Sequence, residues 1–354
     1  MAKRKKLKLD SIHHGDTLEY LRTLPDSSVD LVVSSPPYNI GKEYESKTAL
    51  SIYMDGQREV LTECVRVLKD TGSIFWQVGS YSDKGILIPL DIRFFPVLED
   101  LGMKPRNRII WVRQHGLHGK RKFSARHETI LWFTKSDDYL FNLDAIRVPQ
   151  KWQNKKHYRD DDRKGELSCN PDGKNPADIW IFRNVKHNHE EQTIHPCQFP
   201  EDLIARIVLS TTRKGEVVLD PYMGTGTVAV VARDYGRNFI GAELDDRYIE
   251  VSKRRLSGQP DKNGCFPNLK TLRDYVEQTG EPADKYRFDV QVGKKATDRT
   301  KSKIYSEQHH LEELETRLSY EEASFAADLR GEERPVDEGL NGKKRKKSEV
   351  KTLF

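Results

Sequence analysis

The sequence predicts an α/β protein, an open and mostly parallel sheet covered by helices on both faces. Three observations carry that prediction. Short apolar runs alternate along the chain with segments whose apolar residues recur every three or four positions. One run, Val29 to Ser34 (VDLVVS), lacks polar alternation, as a strand buried on both faces does. Two runs end directly in distinctive loops, SPPY at 35–38 and DPYMGTGT at 220–227. In sheets of this kind the ligand sites lie at the carboxyl ends of the strands.

The elements follow in order. Ser11 to His14 reads as a first strand that ends at Gly15-Asp16, with a helix starting near Thr17. After Val29 to Ser34, Tyr53 to Leu68 is a predicted helix, with Val60, Leu61, Cys64, Val65 and Leu68 on one face. Further strands are expected at Gly72 to Val78, Arg108 to Val112, Thr129 to Phe133, Glu216 to Leu219 and Asn238 to Gly241. Helical spacing marks Pro200 to Ser210, Thr227 to Tyr235 and Tyr248 to Leu256. Between 135 and 190 the rhythm breaks into a stretch rich in Lys, Asp, Asn, Gly and Pro, read as an insert. The expected organisation is therefore 10–134, the insert 135–190, and a second half 191–256. A charged extension 257–330 follows, with one amphipathic helix over 309–330, then a basic tail 331–354 read as disordered.

Composition bounds the function. The chain has 354 residues, 36% hydrophobic and 32% charged, with a formal net charge of +5. That length accommodates two domains or one large domain with insertions. No run approaches a membrane span, and the N-terminal MAKRKKLKLD has no apolar core of a signal peptide. The four cysteines stand apart without a CxxC pair, which argues against a disulfide scaffold or zinc ribbon and for a reducing cytoplasm. His187, His189 and His195 lack a fourth ligand at zinc spacing, so no metal is expected. Basic clusters, including Lys120, Arg121, Lys122 and Arg126, hint at a polyanionic partner.

The glycine turn follows an apolar strand and opens a helix. Gly224 and Gly226 allow positive φ and close ligand approach. Glu243 comes at the tip of the next strand, where an acid accepts hydrogen bonds from ribose hydroxyls. The turn is neither GxGxxG nor GxxxxGK[ST], so the pattern indicates a nucleoside without indicating NAD or ATP. In the other loop, Pro36 and Pro37 stiffen the turn and carry no N–H, so it presents carbonyls and side chains. Tyr38 offers a flat face for stacking, with acceptors nearby for an exocyclic amine.

Together these motifs resemble the S-adenosylmethionine-dependent amino-group DNA methyltransferases. Ser35-Pro36-Pro37-Tyr38 matches their (S/D/N)PP(Y/F/W) motif, Asp220 to Thr227 their DPFxGxGT-like motif, and Gly241, Glu243 and Tyr248 their GxExxxxY ending. Further matching stretches are Gly15-Asp16, Arg66 to Lys69, Ile110-Trp111, His127-Glu128 and His195-Pro196. The catalytic motif precedes the cofactor motif, as in the permuted beta group. The match departs at Tyr222, where phenylalanine is commoner, and at Cys197 to Pro200, where many relatives carry Lys-Pro.

The resemblance implies a Rossmann-like, seven-stranded sheet and a site shared by cofactor and target base. It implies that Ser35, Pro36, Pro37 and Tyr38 are catalytic, and that Asp16, Asp220, Tyr222, Gly224, Gly226, Thr227 and Glu243 hold S-adenosylmethionine, leaving S-adenosylhomocysteine as product. Asp16 has a second reading as a helix cap, and Ile40 is an alternative to Tyr222 in the adenine slot. The base must leave the duplex to be reached. DNA contacts are expected from Asn39, Lys42, Lys120, Arg121, Lys122 and Arg126, with base reading by the insert. Serine at the first motif position points to cytosine N4; adenine N6 is the alternative. A restriction endonuclease is the expected functional partner, and monomer and homodimer are both open. Rival readings are an RNA or protein-glutamine methyltransferase, whose motif order is usually the reverse, a non-enzymatic DNA-binding module, and an NAD-dependent enzyme.

Overall fold

The computed structural model describes residues 7–42, 45–113, 122–148, 155–158, 162–170, 172–182, 184–186, 189 and 191–257, with the backbone of 265–266 and 287–288. The expected helix 309–330 and the tail 331–354 lie outside the described residues.

Eight strands form the main sheet, one more than the expected seven. In chain order they are β1 (Ser11–His14), β2 (Val29–Ser34), β3 (Leu68–Val78), β6 (Lys104–Val112), β7 (His127–Thr134), β8 (Ile179–Ile181), β9 (Val217–Asp220) and β10 (Asn238–Glu243), with β4 (Ser80–Asp83) and β5 (Ile86–Pro89) forming a separate hairpin. The spatial order is β1-β10-β9-β2-β3-β7-β6-β8. Only β7 runs against its neighbours. The additional strand, β8, comes from the 135–190 segment and pairs in parallel with the edge of β6. Its Trp180 is buried in the core, which explains the gain: a short apolar run with one buried anchor becomes a strand when an edge is available.

Helices α1 (Thr17–Thr23), α2 (Leu50–Val67) and α3 (Leu90–Asp100) bury Leu21, Leu61, Cys64 and Phe94 in one core cluster. Helices α4 (Glu201–Thr211) and α5 (Thr227–Asp234) bury Leu203, Val208 and Val228 in a second cluster, with α6 (Asp246–Ser257) packed on α5. The sheet thus has helices on both faces. The α2 boundary differs from the expected 53–68, because Leu68 already starts β3. Leu68 is fully buried, and an apolar residue satisfies helical spacing and strand burial equally well. Among the described residues no helix is long and apolar enough to cross a membrane.

The strand order sets the position of the site. β2 pairs in parallel with β9, Leu31 opposite Val218 and Val32 opposite Leu219. Both strands therefore end on the same side, and the loops at 35–38 and 220–227 leave from neighbouring tips.

Candidate active site

The two tips are braced against each other. Ser34 donates through Oγ to Asp220 Oδ1 at 2.5 Å, and the Tyr222 N–H donates to the same oxygen at 3.0 Å. Asp220 is 1% exposed, and its Oδ2 is buried without a hydrogen-bond partner. Burial pushes its carboxyl up to about 7, against the lowering effect of the Ser34 bond.

In front of the brace lies a cavity of about 230 Å3. Gly15, Asp16 and Thr17 from the end of β1, the whole Ser35 to Tyr38 turn, Tyr222 to Thr225, Thr227, Glu243 and His195 line it. The structure thus brings most of the sequence-predicted residues together. Asp220 and Gly226, expected as cofactor contacts, stand behind the lining instead. Asp220 braces β2 to β9, and Gly226 caps α5 at φ +80°, packed against Ser252. Ile40 also falls outside the lining, whereas Tyr222 faces it and is held by Gln57 Nε2 at 2.8 Å.

Glu243 does more than end a strand. Its Oε2 accepts from the Gly224 N–H at 2.7 Å, and its Oε1 from the N–H groups of Leu244 and Asp245, each at 2.8 Å. The carboxylate fixes the glycine turn on the tip of β10 and keeps one Oε2 lone pair for a ligand hydroxyl. Burial raises its pKa. Asp16 caps α1, accepting from the Glu19 N–H at 2.9 Å, while still lining the cavity. The cap is thus formed by a carboxylate that also stands on the cavity wall.

The lining fits S-adenosylmethionine. It contains two carboxylates and neither lysine nor arginine, which suits a ligand bearing sulfonium and hydroxyl groups and gives a polyphosphate no cation to pair with. Of the aromatics that line it, Tyr38 and Tyr222 come from the two motif loops. Among the described residues no group of three or more His, Cys, Asp or Glu is placed to hold a metal ion.

The SPPY turn is held from outside. Tyr53 donates to the Pro37 carbonyl at 2.6 Å, whereas no described hydrogen bond ends on the Pro36 carbonyl. Tyr38 packs so closely on Gly79 that a Cβ there would sit 2.9 Å from its ring. Its hydroxyl joins Ser35, Gln77 and Glu128. Burial, and then the Glu128 carboxylate, hold the phenol well above its ordinary pKa. This supporting ring of Gln77, Glu128, Tyr53 and Gly79 was not predicted as part of the site. The His127-Glu128 pair was its only signal in the sequence.

The expected DNA contacts divide. Asn39 is buried, with positive φ, and its amide is spent on the Thr48 backbone at 2.9 and 2.7 Å. These bonds lock its loop onto the start of the next segment. Lys42 and Lys122 are exposed and Arg126 is half-buried. Lys122 leans on Ser82 of the β4–β5 hairpin at 3.2 Å. Lys120 and Arg121 lie outside the described residues, as does His187 of the three histidines weighed for a metal.

Comparison with known proteins places the geometry in context. The family model described as DNA methylase, of the N6/N4 methyltransferase type, matches residues 29–254. The type II methyltransferase M.BglII of Bacillus subtilis is 56% identical over 316 residues, covering 88% of this chain and 87% of that protein. The DNA adenine methyltransferase YhdJ of Escherichia coli K12 is 35% identical over 251 residues, covering 70% and 82%. The solved structure of the cytosine-N4-specific PvuII DNA methyltransferase superposes with a TM-score of 0.56 at 20% identity, over 69% of this chain and 84% of that one. At that identity it shows a shared fold.

Proposed function

The chain belongs to the N6/N4 family of DNA methylases, and on that premise we propose that it methylates the exocyclic N4 of a cytosine swung out of duplex DNA. It is an S-adenosylmethionine-dependent DNA methyltransferase. The observation that carries the site assignment is the parallel pairing of β2 with β9, which sets the SPPY turn and the glycine turn around one cavity.

S-adenosylmethionine, when bound, supplies an electrophilic methyl group on a sulfonium. Glu243, through its remaining lone pair, and Asp16 orient the nucleoside end; Gly224 lets it approach the backbone; Tyr222 and Thr227 shape the walls. The target amine is a poor nucleophile because its lone pair is shared with the ring. Ser35 Oγ and the free Pro36 carbonyl accept its two hydrogens, which favours a nitrogen whose lone pair is available. Positive charge develops on that nitrogen, so acceptors stabilise the transition state. The Pro36-Pro37 backbone keeps those acceptors in place, and Tyr38 stacks on the extruded base.

Serine at position 35, a neutral acceptor, supports cytosine N4. The likeness to YhdJ, named as an adenine methyltransferase, favours adenine N6 as the second reading. The likeness to M.BglII, named as a type II methyltransferase, supports a protective role beside a restriction endonuclease, in the cytoplasm and on the nucleoid. Lys42, Lys122 and Arg126, together with Lys120 and Arg121, serve as phosphate contacts. The insert 135–190 reads bases, between the catalytic half 10–134 and the cofactor half 191–256.

The test is to methylate duplex DNA with labelled S-adenosylmethionine, digest it to nucleosides and identify the product by mass spectrometry. N4-methylcytosine is expected, and N6-methyladenine alone reverses the base assignment. Tyr38→Ala is expected to lose transfer while remaining folded; full activity would overturn the site.

A further inference from the structure

A serine hydroxyl carries one hydrogen and two lone pairs. Facing an NH2 group, it helps only as an acceptor, and only if its own hydrogen is engaged elsewhere. An aspartate in the same place has no such requirement. The residues behind Ser35 meet it.

Ser35 Oγ donates to the Tyr38 hydroxyl at 3.3 Å, and Tyr38 donates to Glu128 Oε2 at 3.2 Å. Gln77 Nε2 donates to the same phenol oxygen at 2.7 Å and also to Glu128 Oε2. Arg113 holds the other carboxylate oxygen, Oε1, at 2.9 Å. Glu128 lies on β7 and Gln77 on the adjoining β3, so both come from rigid neighbouring strands. A carboxylate cannot donate, so Tyr38 must point its hydrogen at Glu128. The Gln77 amide also donates to the phenol oxygen, leaving that oxygen to accept from Ser35. Each link then has one allowed direction.

We propose that Glu128 is a positioning residue, whose fixed acceptor character directs the chain Ser35 to Tyr38 to Glu128 and turns the lone pairs of Ser35 toward the target amine. This rests on the amino-methylation reading above and deepens it, because it explains how a serine fills an acceptor's place. The burial that keeps the Tyr38 proton in place is consistent with it.

The test is a double-mutant cycle of Glu128→Gln and Tyr38→Phe, read as kcat and KM for duplex DNA. In Glu128→Gln the amide has one oxygen, which Arg113 attracts, and its NH2 then faces Tyr38. The chain reverses, and the Ser35 hydrogen turns to the amine. In Tyr38→Phe the ring stays for stacking, but the Ser35 hydrogen loses its acceptor. Each single variant is expected to lower kcat by about 10- to 100-fold, with KM for DNA changing by less than about threefold. The double variant is expected to fall no further than the weaker single, since Glu128 acts through the phenol. Near-wild-type kcat in either single, multiplying losses in the double, or a loss carried by KM overturns the proposal. Should Glu128→Gln fail to fold, Tyr38→Phe decides alone: unchanged kcat overturns it, and lowered kcat at constant KM supports it. The nucleoside made by the wild-type enzyme tests the base assignment separately, since the cycle can be read on either methylated product.

Discussion

Replacing Asp220 with asparagine isolates the cost of a buried carboxyl at the junction of the two motifs. The side chain is 1% exposed, and burial raises its pKa from the ordinary 3.8 to about 7. Between those values the folded chain holds a proton that the unfolded chain has released. Stability therefore falls as pH rises from about 4 to about 7, and the full penalty stands above that range. A rise of this size corresponds to about 4 kcal/mol, taken as an upper value. Asparagine matches the shape, keeps an oxygen to accept from Ser34 and Tyr222, and has no titrating proton. The unfolding free energy of D220N minus that of the wild type should grow by up to about 4 kcal/mol between pH 4 and pH 8. Urea unfolding of both proteins at several pH values measures it, and the subtraction cancels every other titrating group. A gap that stays constant, or shrinks as pH rises, refutes the argument that Asp220 is held neutral by burial.

Two further outcomes follow from the geometry. Gly226→Ala places a Cβ at φ +80° and 2.8 Å from Ser252 Oγ, and calorimetry should show a loss of about 2–4 kcal/mol. An unchanged Tm would mean that the turn relaxes freely. Lys122→Ala and Arg126→Ala should each flatten the salt dependence of DNA binding, reducing the slope of log K against log salt by about 0.9. A slope equal to the wild type's would remove that residue from the phosphate contacts.

Much of the site was legible because its motifs are local. Ser35 to Tyr38 is one turn after β2 and Gly224 to Glu243 one turn–helix–strand unit, and residues within one such unit keep their relation in any fold that forms it. β2 was legible because Leu31, Val32 and Val33 run together without polar alternation. The supporting residues were not. Gln77, Tyr53 and Glu128 reach the SPPY turn only through strand pairing and helix packing across 16 to 90 positions, and their types are ordinary for a surface. Helix α3 went unpredicted because Pro96 lies inside it, and proline usually argues against a helix. Asn39, expected as a DNA contact, is buried with positive φ and bonded to Thr48, a clamp that residue type alone does not mark. Asp220 and Gly226 sit within the cofactor motif yet support it from behind, a distinction between wall and scaffold that spacing alone does not carry.

The strand order has a consequence for how the protein is made. β9 and β10, which arise after residue 216, slot between β1 and β2, which arise before residue 35. Until the ribosome has released them, the early half of the chain carries two open edges, one of them β2 with its apolar Leu31, Val32 and Val33. Such edges invite wrong partners. The central sheet therefore closes late in synthesis, and a chain cut short before residue 217 would be an aggregation hazard rather than a weaker enzyme.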